Sequence, residues 1–404
     1  MTDALTIGDR LAALRMRRGT TQEQLAERAR LSVDTVRKLE QNQRRTARLA
    51  TLNALARALD VETSVLVGQP TVLEPANGAD PPSLLALRRA VTPLAEIPGL
   101  DAGEDDVPPP SLAQLRASLR STELVRRRGE FTRIASVLPV LIADARAAVR
   151  ALTGAERASA QAVLAEAYQV AATTLAGLGK EDAAFTAIEH SVAAARLSDD
   201  PRLETMAISC LSWIFTKQGR IDDAERVAVA TAERIEPGFR SAPVDLSLWG
   251  ILLLRGATAA VRAERGDTAR DLLSLASAAA ARIGTDRLDY ATPFGPTNAA
   301  VAAVNAYVDM GQPGRAIERA QQVRDTSSLP PTWLARHQVD RALAYADLGR
   351  DDRAVRALLA ADRTAPEWMR YHATSRHLVA ELRGRERRRH SPVRDLAMRL
   401  HIEE

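Results

Sequence analysis

Apolar positions over residues 5–68 recur with the period of an α-helix. Ile7, Leu11 and Leu14 share one face; Leu25, Ala26 and Ala29 form a second stripe, Val36 and Leu39 a third, and Leu49, Leu52, Leu55, Ala56 and Leu59 a fourth. With a short last helix over Glu62 to Val67, the pattern predicts five helices around one small core. From Ser111 onward the chain reads as helix after helix, and a recurring phrase marks its turns. Gly179 and Ala184, Gly219 and Ala224, Gly311 and Ala316, and Gly349 and Ala354 each place Ala five residues after Gly. Arg265-Gly266-Asp-Thr-Ala269 reads as a shortened copy, and Gly129-Glu-Phe131 as a degenerate first one. The five later glycines lie 40, 47, 45 and 38 residues apart, the period of paired-helix repeats. Gly ends one helix in a left-handed cap, and the small Ala lets the next helix pack closely.

Between the two patterned regions the character changes. Pro70, Pro75, Pro81, Pro82, Pro93, Pro98 and the run Pro108-Pro109-Pro110 mark a linker, interrupted by a short helix over Leu84 to Val91. The chain therefore divides into a helical head over residues 1–69, a Pro-rich linker over 70–110 and a repeat array over 111–404. Only 3% of residues are aromatic, and the apolar residues are mostly Ala and Leu, which points to an all-α protein.

Charge sharpens the division. Residues 1–69 hold twelve Arg or Lys against eight Asp or Glu, so the whole net charge of +4 sits there and the remainder balances at 43 against 43. A basic module on a neutral body suits a chain of which one part meets phosphate. The single cysteine, Cys210, forms no intramolecular disulfide, and the six histidines make no ligand-spaced pairs with carboxylates. No metal, cofactor or catalytic residue is expected, and the chain is not read as an enzyme. The longest apolar run, Leu246 to Leu254, is short of a bilayer span, so a soluble, cytoplasmic, nucleoid-associated protein is expected.

The strongest local signal runs from Gly19 to Glu40. Thr21 and Gln24 form a capping box, Leu25 and Ala26 face inward, and Ser32 caps a second helix after a tight turn. This stretch resembles the lambda-repressor/Cro helix-turn-helix of the XRE family, and the likeness extends through Thr51 to Val61. Two positions depart from the pattern: Arg30 stands where the family turn holds Gly, and Asn42 where Gly often follows the second helix. The resemblance implies a DNA-binding transcription regulator whose second motif helix enters the major groove of a double-stranded operator. Carried onto this chain, base contacts fall on Ser32, Val33, Asp34, Thr35 and Lys38, and phosphate contacts on Gln22, Arg37, Arg44, Arg45 and Arg48. Such domains read paired half-sites, so a homodimer is expected.

The repeat phrases resemble the tetratricopeptide repeat, although their spacing exceeds its 34-residue norm. An array of this kind behind an XRE-type head is similar in layout to the peptide-sensing RRNPP regulators. That layout implies an effector, peptide or small molecule, on the inner helices, where Arg255, Asn298, Asn305, Trp333, His337 and Arg341 are the candidate contacts. The alternative is a DNA-bound scaffold whose array recruits a protein partner. Trp213, Trp249, Tyr290, Tyr307, Trp333 and Tyr345 are read as falling on first helices of pairs or at their starts, where they serve either packing or a groove.

Overall fold

Five short helices, α1 (Ile7–Arg17), α2 (Gln22–Ala29), α3 (Val33–Glu40), α4 (Leu49–Ala58) and α5 (Thr63–Val67), close on one core. Its centre is Leu11, Leu25, Val36, Leu39, Leu55, Leu59 and Leu66, none more than 2% exposed. The structure is a computed structural model that describes residues 6–44, 47, 49–59, 61, 63–67, 82–93, 108–323, 325–386 and 390–402. Capping boxes open α1, through Thr6 and Asp9, and α2, through Thr21 and Gln24; Ser32 accepts from Thr35 N to open α3.

The linker helix, α6 (Pro82–Val91), buries Leu84, Leu87 and Val91 in the core of the array. Six helical hairpins follow: α7 (Leu112–Arg128) with α8 (Phe131–Ala151), α9 (Gly154–Gly177) with α10 (Glu181–Arg196), α11 (Pro201–Lys217) with α12 (Ile221–Arg234), α13 (Pro243–Arg262) with α14 (Gly266–Ile283), α15 (Pro296–Asp309) with α16 (Pro313–Gln322), and α17 (Pro331–Asp347) with α18 (Asp351–Thr364). Three shorter helices end the chain: α19 (Pro366–Tyr371), α20 (Ala373–Arg385) and α21 (Pro392–Arg399). By length and composition α13 is apolar enough to cross a membrane, but it packs between α11, α12 and α14 with most of its apolar side chains buried.

One turn geometry recurs in all six hairpins. Gly129, Gly179, Gly219, Gly311 and Gly349 take φ between 69° and 77°, and the following N–H reaches back five residues, as in Lys180 N to Leu175 O at 2.9 Å. In the fourth hairpin the turn residue is Glu264, at φ 60°, with Arg265 N to Ala260 O at 2.8 Å. This corrects the reading of a shortened phrase around Gly266: the phrase is full length, Glu264 holds the glycine position, and Gly266 is the first residue of α14. The side chain five residues on, Ile134, Ala184, Ala224, Ala269, Ala316 or Ala354, is 0% exposed in every hairpin.

Among the described residues the strands are β1 (Arg287–Asp289) and β2 (Thr292–Phe294), an antiparallel hairpin with Asp289 opposite Thr292. Its two-residue turn puts Tyr290 at φ 47° and Ala291 at φ 58°, the two positive φ values that a tight hairpin turn demands. Tyr290 therefore lies on this hairpin, not on a first helix or at its start, which corrects the sequence reading for that one aromatic. Its hydroxyl donates to Asp200.

The array closes on itself. Thr132, at the start of α8, gives both its backbone N–H and its hydroxyl to Glu367 of α19, at 2.8 and 2.7 Å. Thr332 Oγ1 donates to Arg127 O at 3.1 Å, Phe131 meets Tyr371 edge-on at 5.5 Å, and the Arg126 guanidinium lies 5.6 Å from the centre of the Trp333 ring. The first hairpin thus packs on the last, and side chains on the inner helices are enclosed.

Candidate nucleic-acid interface

The orientation of α3 is fixed from its buried side. Glu40, its side chain 5% exposed, accepts from Arg15 Nε at 2.7 Å and Arg15 Nη2 at 2.9 Å, and from Gln22 Nε2 at 2.6 Å. One carboxylate so ties α1, α2 and α3, and the ion pair is fully hydrogen-bonded, as a buried charge requires. At the far end Asn42, at φ 56°, joins the α1 cap: Thr6 Oγ1 donates to Asn42 Oδ1 at 2.6 Å and Asn42 Nδ2 donates to Asp9 Oδ1 at 3.0 Å. Hydrogen bonding with Thr6, and after it the bond from Asn42, holds the Asp9 carboxyl below its ordinary range. Gly8 lets the helices touch, since a Cβ there would sit 2.0 Å from Leu39 O. Arg30 keeps the left-handed conformation of the motif turn, at φ 54°.

The other side of α3 is bare. Ser32, Asp34, Arg37 and Lys38 are exposed, with Val33 and Thr35 half-buried between them. Lys38 Nζ lies 2.6 Å from the Asp34 carboxylate, which holds that carboxyl below its usual range. Arg44 is exposed beyond the helix end; Arg45 and Arg48 lie outside the described residues. Gln22 is half-buried and its amide is turned to Glu40. Arg15, Glu40 and Thr6, which position the helix, were not singled out in the sequence, and Asn42 was read there only for its backbone conformation.

The head rests on the array through its opposite side. α4 and α5 pack on α20, His377 Nε2 donates to Ala47 O at 2.7 Å, and Arg57 Nε lies 3.0 Å from Glu264 Oε1 at the fourth hairpin turn. Burial pushes the His377 pKa down, so the ring is a neutral donor.

Inside the array lie the candidate effector contacts. Trp333, His337 and Arg341 follow one another along α17, and Arg126 links Trp333 to the neighbourhood of Cys210 and Arg255. Arg255 Nε, Arg341 Nε and His337 Nδ1 are buried atoms without a hydrogen-bond partner among the described residues. Burial lowers the pKa of Arg255, and lowers that of His337 to about 4. The two asparagines are committed elsewhere: Asn298 Nδ2 donates to Pro293 O at 2.7 Å, and Asn305 Nδ2 to Asp340 Oδ1 at 3.2 Å. Trp213, Trp249 and Tyr307 are half-buried against the core, and Tyr345 is buried in it. Among the described residues no cluster of His, Cys, Asp and Glu could hold a metal ion.

Comparison with known proteins agrees with this geometry at the head. Residues 11–66 match the helix-turn-helix family HTH_3. The immunity repressor protein of Bacillus phage phi105 is 40% identical over 70 residues, 17% of this chain, and the chain spans 48% of that relative's length. Solved structures superpose loosely. BtubC of P. vanneervenii covers 64% of this chain and 93% of its own at 17% identity and a TM-score of 0.37. Bacillus thuringiensis PlcR, crystallised with the peptide PapR7 and DNA, covers 95% of this chain and 98% of its own at 10% identity and a TM-score of 0.33. The N-terminal domain of this chain is a helix-turn-helix domain of the XRE type, joined to an array of tetratricopeptide-like helical hairpins.

Proposed function

We propose that the protein is a sequence-selective DNA-binding regulator of transcription that works without catalysis. The observation that carries this reading is α3, locked from behind by Glu40 and Asn42 and bare in front, on the side of the head that does not meet the array. A rigid amphipathic helix of this kind fits the major groove. Ser32, Val33, Asp34, Thr35 and Lys38 face the bases, with Lys38 suited to guanine O6 and N7 and Asp34 to cytosine N4. For both to read bases the Asp34–Lys38 ion pair opens, which costs little at such exposure. Arg37, Arg44, Arg45 and Arg48 neutralise phosphates, and Gln22 reaches one by releasing Glu40. Two copies read two half-sites, so the working form is a homodimer in the cytoplasm.

The array senses an effector. Unpartnered buried donors on Arg255, Arg341 and His337 favour a peptide or small molecule that presents oxyanion or carbonyl acceptors to the enclosed inner helices, with Trp333 stacking on it. Asn305 releases Asp340 to join them. Asn298, held to the β-hairpin, supports the wall of the site. An effector regulates DNA binding by preferring one arrangement of the two heads over another.

Selection of bound duplexes from a random pool, followed by a salt titration on the winner, tests the first part. Replacing Val33, Asp34 and Lys38 together by Ala removes selectivity while non-specific binding at low salt survives. Unchanged selectivity in that variant overturns the assignment of α3.

A further inference from the structure

The six hairpin turns are built alike except at Glu264. Five hold Gly in the left-handed region; the fourth forces a residue with a side chain into it, at a cost of about 1 kcal/mol. In exchange, a carboxylate faces the head at the position where Arg57 approaches the array. Beside this ion pair a cleft of about 390 Å³ opens between head and array, within the size range of small-molecule sites.

Among the described residues the lining of the cleft sets four arginines against three carboxylates and draws on both parts. Arg28 and Arg57 come from the head, Arg262 and Arg265 from the array, against the carboxylates of Asp222, Glu264 and Asp309. Arg265 is occupied by Asp222 and Glu225, at 3.0 and 2.6 Å. Arg57 holds Glu264, and Arg28 is exposed with no ion pair among the described residues. Arg28, without an ion pair among the described residues, thus lines the same cleft as Arg57, whose partner is an exposed carboxylate on a strained turn. Such a pair is easily exchanged for an oxyanion that both arginines can grip, because planar guanidinium forks bind phosphate and carboxylate bidentately.

We propose that this cleft binds a small ligand bearing a phosphate or carboxylate group, held between Arg28 and Arg57 of the head and the Arg262–Arg265 edge of the array. Glu264 is the internal carboxylate that the ligand displaces. When the ligand is bound, the head is joined to the array through it instead of through the ion pair of the fourth turn, so occupancy sets how firmly the head is docked. The site is separate from the enclosed effector contacts around Arg255 and Arg341 and rests on neither reading under Proposed function.

The test is calorimetric titration of the full chain with inorganic pyrophosphate and, separately, citrate. Saturable binding of either is expected; tighter pyrophosphate binding identifies a phosphorylated ligand and tighter citrate binding a carboxylate one. The variant Arg28→Ala/Arg57→Ala weakens binding by about tenfold or more. Glu264→Gly, which restores the turn residue of the other hairpins, tightens it by removing the competing carboxylate. Arg255→Ala/Arg341→Ala leaves it unchanged. The proposal is overturned if neither probe binds at about millimolar concentration, if Arg28→Ala/Arg57→Ala binds as the parent does, if Glu264→Gly gains nothing, or if the loss appears in Arg255→Ala/Arg341→Ala instead.

Discussion

In the head, Asp34, Arg37, Lys38 and Arg44 stand in solvent, and the buried carboxylate of Glu40 is matched by Arg15 and Gln22. In the array, Lys217, Arg255 and Arg262 are half-buried by area yet enclosed by protein, enough to push their pKa values down. Charges on an outer face cost nothing to desolvate and suit a highly charged polymer, at the expense of strong screening by salt. Charges held inward carry a desolvation cost that a bound partner can relieve, and salt screens them weakly. Under the proposed function, the difference suits the two parts to two kinds of ligand. It also separates their stabilities: the head has one small core, while the array spreads its core over neighbouring hairpins.

Deleting core volume in each part is the harshest way to break that comparison. Leu39→Ala and Leu358→Ala remove side chains that are both 0% exposed. Each loses about 2–5 kcal/mol, which is comparable to the whole stability of a domain as small as the head. Leu39→Ala therefore unfolds the head and abolishes duplex binding while the array's helical signal persists on heating. Leu358→Ala lowers the array transition and leaves the head folded. A single shared transition that both variants lower equally would join what the comparison separates.

A second effect comes from inside the array. Burial, with Glu123 and Asp200 nearby, raises the Glu166 pKa to about 7. Because the native state holds this proton more tightly than the unfolded chain does, Glu166 takes stability away as pH rises from about 4.5 through 7, on the order of 3 kcal/mol. His337, depressed to about 4, acts oppositely: the unfolded chain takes up its proton first, so stability is lost as pH falls from 6.5 toward 4. Denaturant midpoints at pH 5 and pH 8 for the parent and Glu166→Gln isolate the first contribution. The variant gains at pH 8 and is unchanged at pH 5; equal shifts at both values contradict the burial argument.

A smaller effect sharpens the contrast in screening. Arg44→Ala weakens duplex binding by about 1 kcal/mol at low salt and lowers the slope of log affinity against log salt by about one. Arg255→Ala leaves that slope unaltered. Filter binding at several salt concentrations distinguishes them.

What could be read in the sequence follows the same division. The Thr21–Gln24 capping box, the Ser32 cap, the left-handed Arg30 and Asn42 and the exposed face of α3 were legible because each is set by residues within about one helical turn. The Glu40 network was not, since Gln22 and Arg15 lie 18 and 25 positions away. In the array the turn phrase marks the hairpins, but at the fourth turn Glu264 lacks the glycine that makes the phrase legible, and Gly266 lies two positions on. Closure of the array rests on Thr132 with Glu367, 235 positions apart, and no periodicity reports such a contact. The β-hairpin escaped notice because its turn uses Tyr290 and Ala291 where Asn and Gly are usual.

The smallest expected effect lies at the turn that breaks the repeat rule. Glu264→Gly relieves the left-handed strain, about 1 kcal/mol, and forfeits an ion pair whose partners are 34% and 55% exposed, a contribution of about 0–1 kcal/mol. The array should therefore be as stable as the parent or slightly more so. Gly219→Glu at the corresponding turn of the preceding hairpin, where no Arg57 waits, should lose the full strain. Hydrogen exchange separates the two sides of the account: in Glu264→Gly, protection falls at α4 and α5, where the head meets the array, and holds at α13 and α14. If protection at α4 and α5 is unchanged, Glu264 does not secure the head, and its departure from glycine has no role in joining the two parts.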